Sequence, residues 1–318
     1  MKQNNKNLIL KVNFKAEIVF FLVSVSIFVF ALTLSALLAP MISEGVRSGI
    51  LFCFSVIIPS IFPFMILADL LVFFMHFEKI KVLRQLFSRL FKINGYAISV
   101  FLIGLISGFP IGAKLSRELY ISGKISKNEC ERLIGISNNA SPAFVISGVG
   151  YGLFGSLKLG LLLYFISIIS SVFAGLITAR FAKNESKIEY NTISSFSFTD
   201  SVKSATRACI NICGFICFFS VIIHFINQSL KNELLVAFLS SFLEIGNAAK
   251  FISSVSLPDL IKLPLLSFAI GFSGFSVHFQ SKSILSDTDI SMNKYYLMKL
   301  LSATLSAAIM LLTVLLSI

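Results

Sequence analysis

The sequence contains no tryptophan, only three histidines and only 15 acidic residues in 318 positions. Charged residues make up 13% of the chain, about half of the fraction usual in a soluble domain. The hydrophobic fraction is 56% and the mean hydropathy is +0.89, and several apolar runs reach the ~20 residues that cross a bilayer. This composition excludes an ordinary soluble domain and predicts an all-α, polytopic membrane helix bundle.

The scarce acidic and histidine residues form no pattern typical of an enzyme. We find no serine–histidine–aspartate set, no metal-ligand constellation and no paired carboxylates in the loops. Cys209, Cys213 and Cys217 share one helix face, but no paired histidine or second cysteine cluster accompanies them. Small apolar cysteines suit a contact between helices. We therefore predict no enzyme activity, no metal site and no cofactor.

The net charge of +12 indicates cytoplasmic loops and contact with anionic membrane lipids. No soluble segment combines a basic patch with aromatic residues, so no nucleic-acid partner is predicted. Four lysines precede the first apolar run, residues 18–38. This run is longer than the core of a signal peptide and is predicted to be an uncleaved span, with the N-terminus in the cytoplasm.

Composition divides the chain into four parts. We predict a basic tail and first span at 1–40, a first repeat at 41–180, a polar basic linker at 181–206 and a second repeat at 207–318. A turn is expected from Pro40 to Arg47. Further spans are predicted near 48–74, 96–110, 157–179, 208–229, 233–252, 261–276 and 295–317.

The first polar interruption lies at Ser107-Gly108-Phe109-Pro110, inside an apolar run. Proline lacks an N–H group and pushes the preceding residue out of the α region, so we predict that the helix breaks here. A short helix at 112–122 follows and ends at Gly123. Ser126 and Glu129 then have the spacing of a capping box that starts another helix.

A second polar motif, Asn138-Asn139-Ala-Ser141-Pro142, marks a helix start, because serine is a favoured cap and proline a favoured first residue. The free N–H groups at such a start carry partial positive charge. Together with Lys114 and Arg117 they are predicted to bind an anion; the alternative is a proline-kinked helix with a polar loop at the surface. Broken helices near the middle of the membrane are typical of secondary transporters.

Part of this pattern occurs twice. Ser107-Gly108-Phe109 recurs as Ser273-Gly274-Phe275, and two other short matches follow the same order at nearly the same offset. We therefore predict two structural repeats with a binding site where they meet. Two orientations are open: if residues 133–152 re-enter, the repeats are inverted, and if they cross, the repeats are parallel. The basic linker favours inversion.

Ionisable residues within the spans supply further candidates. Glu244 and Asn247 lie in a predicted apolar span, where a carboxylate needs a partner, a proton or a cation unless it is near a helix end. His278 follows the second Ser-Gly-Phe motif in a polar segment predicted at 278–294. It either couples protons, since histidine titrates near neutral pH, or is simply exposed. Asp69 is either functional or interfacial.

These motifs also carry a resemblance. Residues 108–114 (Gly-Phe-Pro-Ile-Gly-Ala-Lys) followed by residues 137–142 (Ser-Asn-Asn-Ala-Ser-Pro) resemble the sporulation integral membrane protein family of the YlbJ type, in the nucleoside-recognition or Gate domain group. The region of Glu244 and residues 273–280 look like the second half of that family. The resemblance covers roughly residues 40–310. It implies a transporter of endospore-forming bacteria that moves dipicolinate across the outer forespore membrane.

The leading hypothesis is thus a secondary transporter of a small organic anion in the cell membrane or outer forespore membrane. Phe109 or Phe275 is expected to stack on the ring of dipicolinate. Two alternatives are a transporter of nucleosides or other neutral solutes and a non-transporting scaffold for spore assembly. The oligomeric state is open. The predicted substrate-binding residues are Ser107, Gly108, Phe109, Pro110, Lys114, Asn138, Asn139, Ser141, Pro142, Glu244, Asn247, Ser273, Gly274, Phe275 and His278.

Overall fold

The computed structural model describes residues 2–74, 77–182 and 197–317. Within these ranges the chain is helical and contains no β-strand, which confirms the predicted all-α class. The helices are α1 (Lys2–Phe52), α2 (Ile58–Phe74), α3 (Lys81–Phe91), α4 (Ile98–Ser107), α5 (Ile111–Ile121), α6 (Lys127–Ser137), α7 (Leu157–Ala179), α8 (Phe198–Ser229), α9 (Glu233–Leu243), α10 (Ile245–Ser254), α11 (Asp259–Phe272), α12 (Gly274–Ile284) and α13 (Asn293–Ser317). Two segments are π-helical, Cys53–Ile57 and Ala143–Leu153.

Five helical stretches in the described ranges are long and apolar enough to cross a membrane. They are Ala36–Ile57, Leu157–Ala179, Phe198–Ser229, Asp259–Ile284 and Asn293–Leu316. A sixth candidate joins α3 to the helix at Gly95–Ser107, with a bend of 105° between the two parts. These lengths match the ~20 residues that a bilayer requires, so the structure fits the predicted polytopic bundle.

Contacts group the chain into two compact units, residues 1–44 and 45–318. The first unit contains the apolar helical stretch Phe20–Thr33. Pro40 lies inside α1, so the turn predicted from Pro40 to Arg47 is wrong. Proline removes a single N–H donor, and helices in membranes tolerate that loss.

Helix α6 is the centre of the core in the second unit, because every residue from Glu129 to Ser137 is buried. The predicted capping box at its start is confirmed: Ser126 Oγ accepts from Glu129 N, and Glu129 Oε2 accepts from Ser126 N. Helix α7 packs a stripe of small residues inward and exposes a row of large apolar ones. The inward stripe is Ser167, Ser170, Ser171, Ala174 and Gly175, a composition that lets membrane helices approach closely.

The break predicted at residues 107–110 is present between α4 and α5. Gly108 has φ +75°, and the Phe109–Pro110 peptide bond is cis. The extended residues after α6 lie beside this break, since Phe109 N donates to the carbonyl oxygen of Asn139 at 2.7 Å. A Cβ atom on Gly108 would lie 2.6 Å from Ser141 Cβ, and one on Gly104 or Gly112 would lie 2.3 or 2.4 Å from the Ser137 carbonyl oxygen. Helices α4, α5 and α6 therefore meet at backbone distance.

The second half also contains two interruptions, one of them unexpected. The span predicted at 233–252 is wrong, because the helix ends at Leu243 and α10 begins at Ile245. Glu244 between them is extended and caps α10. The other interruption is at Ser273, where φ is +72°, and a Cβ atom on Gly274 would lie 3.1 Å from Glu244 Cα. The two interruptions thus lie against each other.

The polar segment predicted at 278–294 is in part helical, because α12 continues to Ile284 and buries His278, Gln280 and Ser281. Of the predicted linker, residues 183–196 lie outside the described residues, and α8 already begins at Phe198. Each Ser-Gly-Phe motif stands at the junction of two helices, as a duplication requires. The division into two repeats nevertheless stays a prediction.

Candidate functional site

A buried hydrogen bond joins the first interruption to the second half of the chain. Asn138 Nδ2 donates to Ser281 Oγ in α12 at 2.8 Å and lies 3.5 Å from the hydroxyl of Tyr295 in α13. Asn138, Ser281 and Tyr295 all have 0% exposure. Polar residues from the two halves therefore contact each other at this point.

The next residue, Asn139, contacts a lysine within the last membrane helix. Lys299 Nζ donates to Asn139 Oδ1 at 2.9 Å, and Asn139 Nδ2 donates to the Ile136 carbonyl oxygen at 2.6 Å. Lys299 is 1% exposed, and no ion pair to it occurs in the part of the chain that the structure describes. The ammonium group of Lys299 also lies 5.9 Å from the centroid of the Tyr295 ring. We refer to Asn138, Asn139, Ser281, Tyr295 and Lys299 as the junction cluster.

His278 lies beside this cluster and is buried, so the hypothesis of an exposed loop histidine is wrong. Its Nε2 is 2.8 Å from the carbonyl oxygen of Phe272, the last residue of α11. Its ring centroid is 5.1 Å from that of Tyr295. A carbonyl can only accept, so Nε2 carries hydrogen and supplies a donor to a carbonyl that the break at Ser273 leaves without its helical partner.

Several buried polar atoms around these interruptions have no hydrogen-bond partner among the described residues. They include Ser107 Oγ, Asn138 Oδ1, His278 Nδ1, Gln280 Oε1, Ser302 Oγ and Ser306 Oγ. Folded proteins satisfy most buried polar groups, so these atoms are free to bind water or a solute.

The cation that the sequence singled out, Lys114, is already paired. Its Nζ lies 2.9 Å from Asp69 Oδ1, and the two side chains are 25% and 20% exposed. Asp69 therefore has an ionic partner, and its carboxylate compensates the charge of Lys114. The structure therefore brings Lys299, rather than Lys114, into contact with the predicted asparagine pair.

The helix start predicted at Pro142 is confirmed, although the segment that follows is π-helical. Ser141 acts as its cap: Ser141 Oγ accepts from Phe144 N at 3.2 Å and the Ser141 carbonyl oxygen accepts from Val145 N at 3.0 Å. Phe109 is 7% exposed and packs on Phe144, whereas Phe275 is 39% exposed. Of the two predicted stacking residues, only Phe275 presents an accessible face.

Glu244 and Asn247 form a separate polar group. Glu244 Oε1 accepts from Gly246 N at 2.9 Å, and Glu244 Oε2 accepts from Asn247 N and Asn247 Nδ2 at 2.7 and 2.8 Å. Asn247 Nδ2 also donates to Ser220 Oγ at 2.7 Å. These contacts stabilise the broken helix, and none of them reaches the junction cluster.

A second set of contacts between the halves lies outside the membrane helices. Arg117 forms a bidentate pair with Asp287, Lys127 Nζ lies 3.0 Å from Asp289, and Tyr120 donates to Asp289 at 2.6 Å. The Arg117 guanidinium lowers the pKa of Asp287. The hydroxyl of Tyr120, followed by Lys127, lowers the pKa of Asp289. These pairs hold the α5–α6 region to the segment between α12 and α13.

Two apolar cavities run beside α8, away from the junction cluster. One has a volume of about 660 Å³ and is lined by phenylalanines that include Phe215 and Phe279. The other, of about 420 Å³, is lined in part by Cys53, Cys209 and Cys213. Their apolar walls in a membrane protein match acyl chains rather than a charged solute.

Sequence reasoning missed Lys299, Tyr295 and Ser281. A signal was available, because Lys299 is an ionisable residue within the last predicted span and Tyr295 precedes it by one helical turn. Because Lys299 is near the end of that span, the sequence alone does not distinguish it from an interfacial lysine whose side chain extends to water. Only the folded chain shows that its neighbours enclose it.

The chain is similar to a curated protein named sporulation integral membrane protein YlbJ, from Bacillus subtilis (strain 168). The two are 28% identical over 312 aligned positions, which cover 85% of this chain and 76% of the relative. No family model matches the chain, and no solved structure does. The similarity confirms the resemblance to YlbJ-type proteins, and the apolar helices support an integral membrane protein.

Proposed function

We propose that this protein is a secondary transporter of a small organic anion, and that the anion is dipicolinate carried across the outer forespore membrane. The observation that carries the proposal is the buried contact between the two halves: Asn138, beside the first helix interruption, binds Ser281 in α12, which begins at the last interruption. Interrupted helices that meet inside a bundle are how secondary transporters form substrate sites.

The chemistry around that contact suits a polar, charged solute. A buried ammonium group and two asparagines lie at this contact, while the two cavities described at α8 are apolar. Dipicolinate is an aromatic dianion, so it offers two carboxylates to cations and a flat ring to Phe275. The relative's name places that protein in a membrane during sporulation, which agrees with this substrate.

The direct test is uptake of radiolabelled dipicolinate into liposomes that contain the purified protein, with empty liposomes as the control. Labelled uridine is measured in parallel, because the same resemblance extends to nucleoside carriers. Dipicolinate uptake well above the empty control supports the proposal. Uptake of uridine but not of dipicolinate would instead support the alternative of a transporter of neutral solutes. If neither compound is taken up and circular dichroism shows that the protein is still helical, the alternative of a non-transporting sporulation scaffold is favoured.

A further inference from the structure

We propose that Lys299 and Asn139 form a carboxylate-binding site, in which the ammonium group and the side-chain amide hold one carboxylate of an anionic solute. The assignment rests on the proposed transport function only for the identity of that solute. It replaces Lys114 as the cation of the site. The argument uses burial, charge balance and the remaining hydrogen-bond donors of the two side chains.

The first step is charge. Lys299 is the seventh residue of α13 and is 1% exposed, and removing an ammonium group from water costs several kcal/mol unless an opposite charge compensates it. Its acceptor is a neutral amide oxygen, Asn139 Oδ1 at 2.9 Å. No carboxylate pairs with Lys299 among residues 2–74, 77–182 and 197–317. A bound anion would supply the missing charge.

The second step is the count of donors. A lysine ammonium has three N–H donors, and Lys299 uses one of them on Asn139. The amide of Asn139 has two, of which one is used on the Ile136 carbonyl oxygen. Spare N–H groups on two touching side chains can bind both oxygens of one carboxylate, and charge-assisted bonds of this kind are the strong ones.

The third step is location. The Asn139 carbonyl oxygen accepts from Phe109 N in the first interruption, whereas Lys299 belongs to α13 at the other end of the chain. A carboxylate held by both residues would therefore bridge the two halves. Asn138 and His278 both contact Tyr295, whose ring centroid is 5.9 Å from the ammonium group of Lys299.

Lys114 lacks these properties. Its ammonium group already has a carboxylate partner, Asp69, at 2.9 Å, and its side chain is 25% exposed. A second anion at Lys114 would have to compete with Asp69. At Lys299 no such competitor is present in the described chain, so the energetic gain from binding an anion is larger there.

The decisive variant is Asn139→Asp. It places a carboxylate where the amide oxygen now lies 2.9 Å from Lys299, so the protein gains a built-in counter-charge and the solute loses its site. Equilibrium binding of radiolabelled dipicolinate to the purified full chain is measured for wild type, Asn139→Asp, Lys299→Met and Lys250→Met. Lys250 is an exposed lysine in α10 and is the matched control for loss of one positive charge.

We expect binding to weaken roughly 100-fold in Asn139→Asp and Lys299→Met and to stay unchanged in Lys250→Met. Asn139→Asp also keeps the lysine and its contact, so it remains informative if Lys299→Met does not fold. Wild-type affinity in a folded Asn139→Asp variant overturns this site while leaving the transport proposal intact.

Absence of dipicolinate binding by the wild type counts against the transport proposal instead. Benzoate and acetate are then the probes: binding that depends on Lys299 supports the site, and no carboxylate binding overturns it.

Discussion

Lys299 Nζ donates a 2.9 Å hydrogen bond to Asn139 Oδ1, although 160 positions separate the two residues in the chain. The contact ties the last membrane helix to the extended residues that follow α6. One position earlier, Asn138 makes the parallel connection to α12 through Ser281. Two adjacent amides thus connect the first half of the chain to two different helices of the second half.

The contact between Asn138 and Ser281 gives the first prediction. Replacing Asn138 with Leu removes a buried hydrogen bond and should lower the free energy of unfolding by about 1–3 kcal/mol. It should also reduce dipicolinate uptake into liposomes, because it alters the junction of the halves. Ser253→Ala is the control, since Ser253 is only partly buried and its hydroxyl donates to the Lys250 carbonyl oxygen of its own helix. Uptake by Asn138→Leu equal to that of the control would contradict the proposed site.

The break at Gly108 gives the second prediction. Gly108→Ala should destabilise the protein by at least about 3 kcal/mol, because φ is +75° and the added Cβ would lie 2.6 Å from Ser141. Gly214→Ala is the matched control, since no heavy atom lies within 4 Å of its Cβ position. That change should be neutral or stabilising by about 0.5–1 kcal/mol. Thermal unfolding in detergent measures both, and equal effects would refute the packing argument.

The pair of Lys114 and Asp69 gives the third prediction. Lys114→Met leaves a partly buried carboxylate without its partner and should destabilise the protein by about 1–3 kcal/mol. Adding Asp69→Asn removes the unpaired carboxylate charge and should restore most of the lost stability. A thermodynamic cycle over the four proteins measures the coupling. If dipicolinate binding falls with Lys114→Met and the second change does not rescue it, Lys114 contacts the solute.

The pair of Arg117 and Asp287 gives the fourth prediction, which concerns pH. Arg117 lowers the pKa of Asp287, so the pair stabilises the fold above the unfolded-state pKa of about 4. That contribution disappears as the pH falls through the lowered value. The unfolding temperature of wild type minus that of Asp287→Asn should therefore be positive near pH 6 and decrease as the pH falls below about 4. A difference that persists in ~1 M salt would argue against a screened surface pair.

Local chemistry made much of the fold predictable. The Ser126–Glu129 capping box, the helix start at Pro142 and the break before Pro110 follow from hydrogen bonding and backbone geometry within a few residues. The break at Glu244 inside the span predicted at 233–252 was not foreseen, because no proline marks it; the sequence left open only that Glu244 is near a helix end. The carboxylate itself caps the new helix there, a role more usual for aspartate.

The candidate site was predictable only in part, for a different reason. The asparagine pair was recognised because amides are rare within apolar segments. The identity of the cation was not, since Lys114 and Lys299 are both lysines near the end of an apolar stretch. Which of them has a carboxylate partner depends on residues far away in the chain, and only the tertiary structure supplies that information.

The glycines at 104 and 112 have a mechanical consequence. With the Ser137 carbonyl only 2.3 and 2.4 Å from their Cβ positions, α4 and α5 meet the end of α6 at backbone distance, so the three helices are expected to move as one rigid unit. Any rearrangement that opens the protein to one side must then occur where side chains meet. Asn138 and Asn139 follow α6 directly and would connect this rigid unit to α12 and α13.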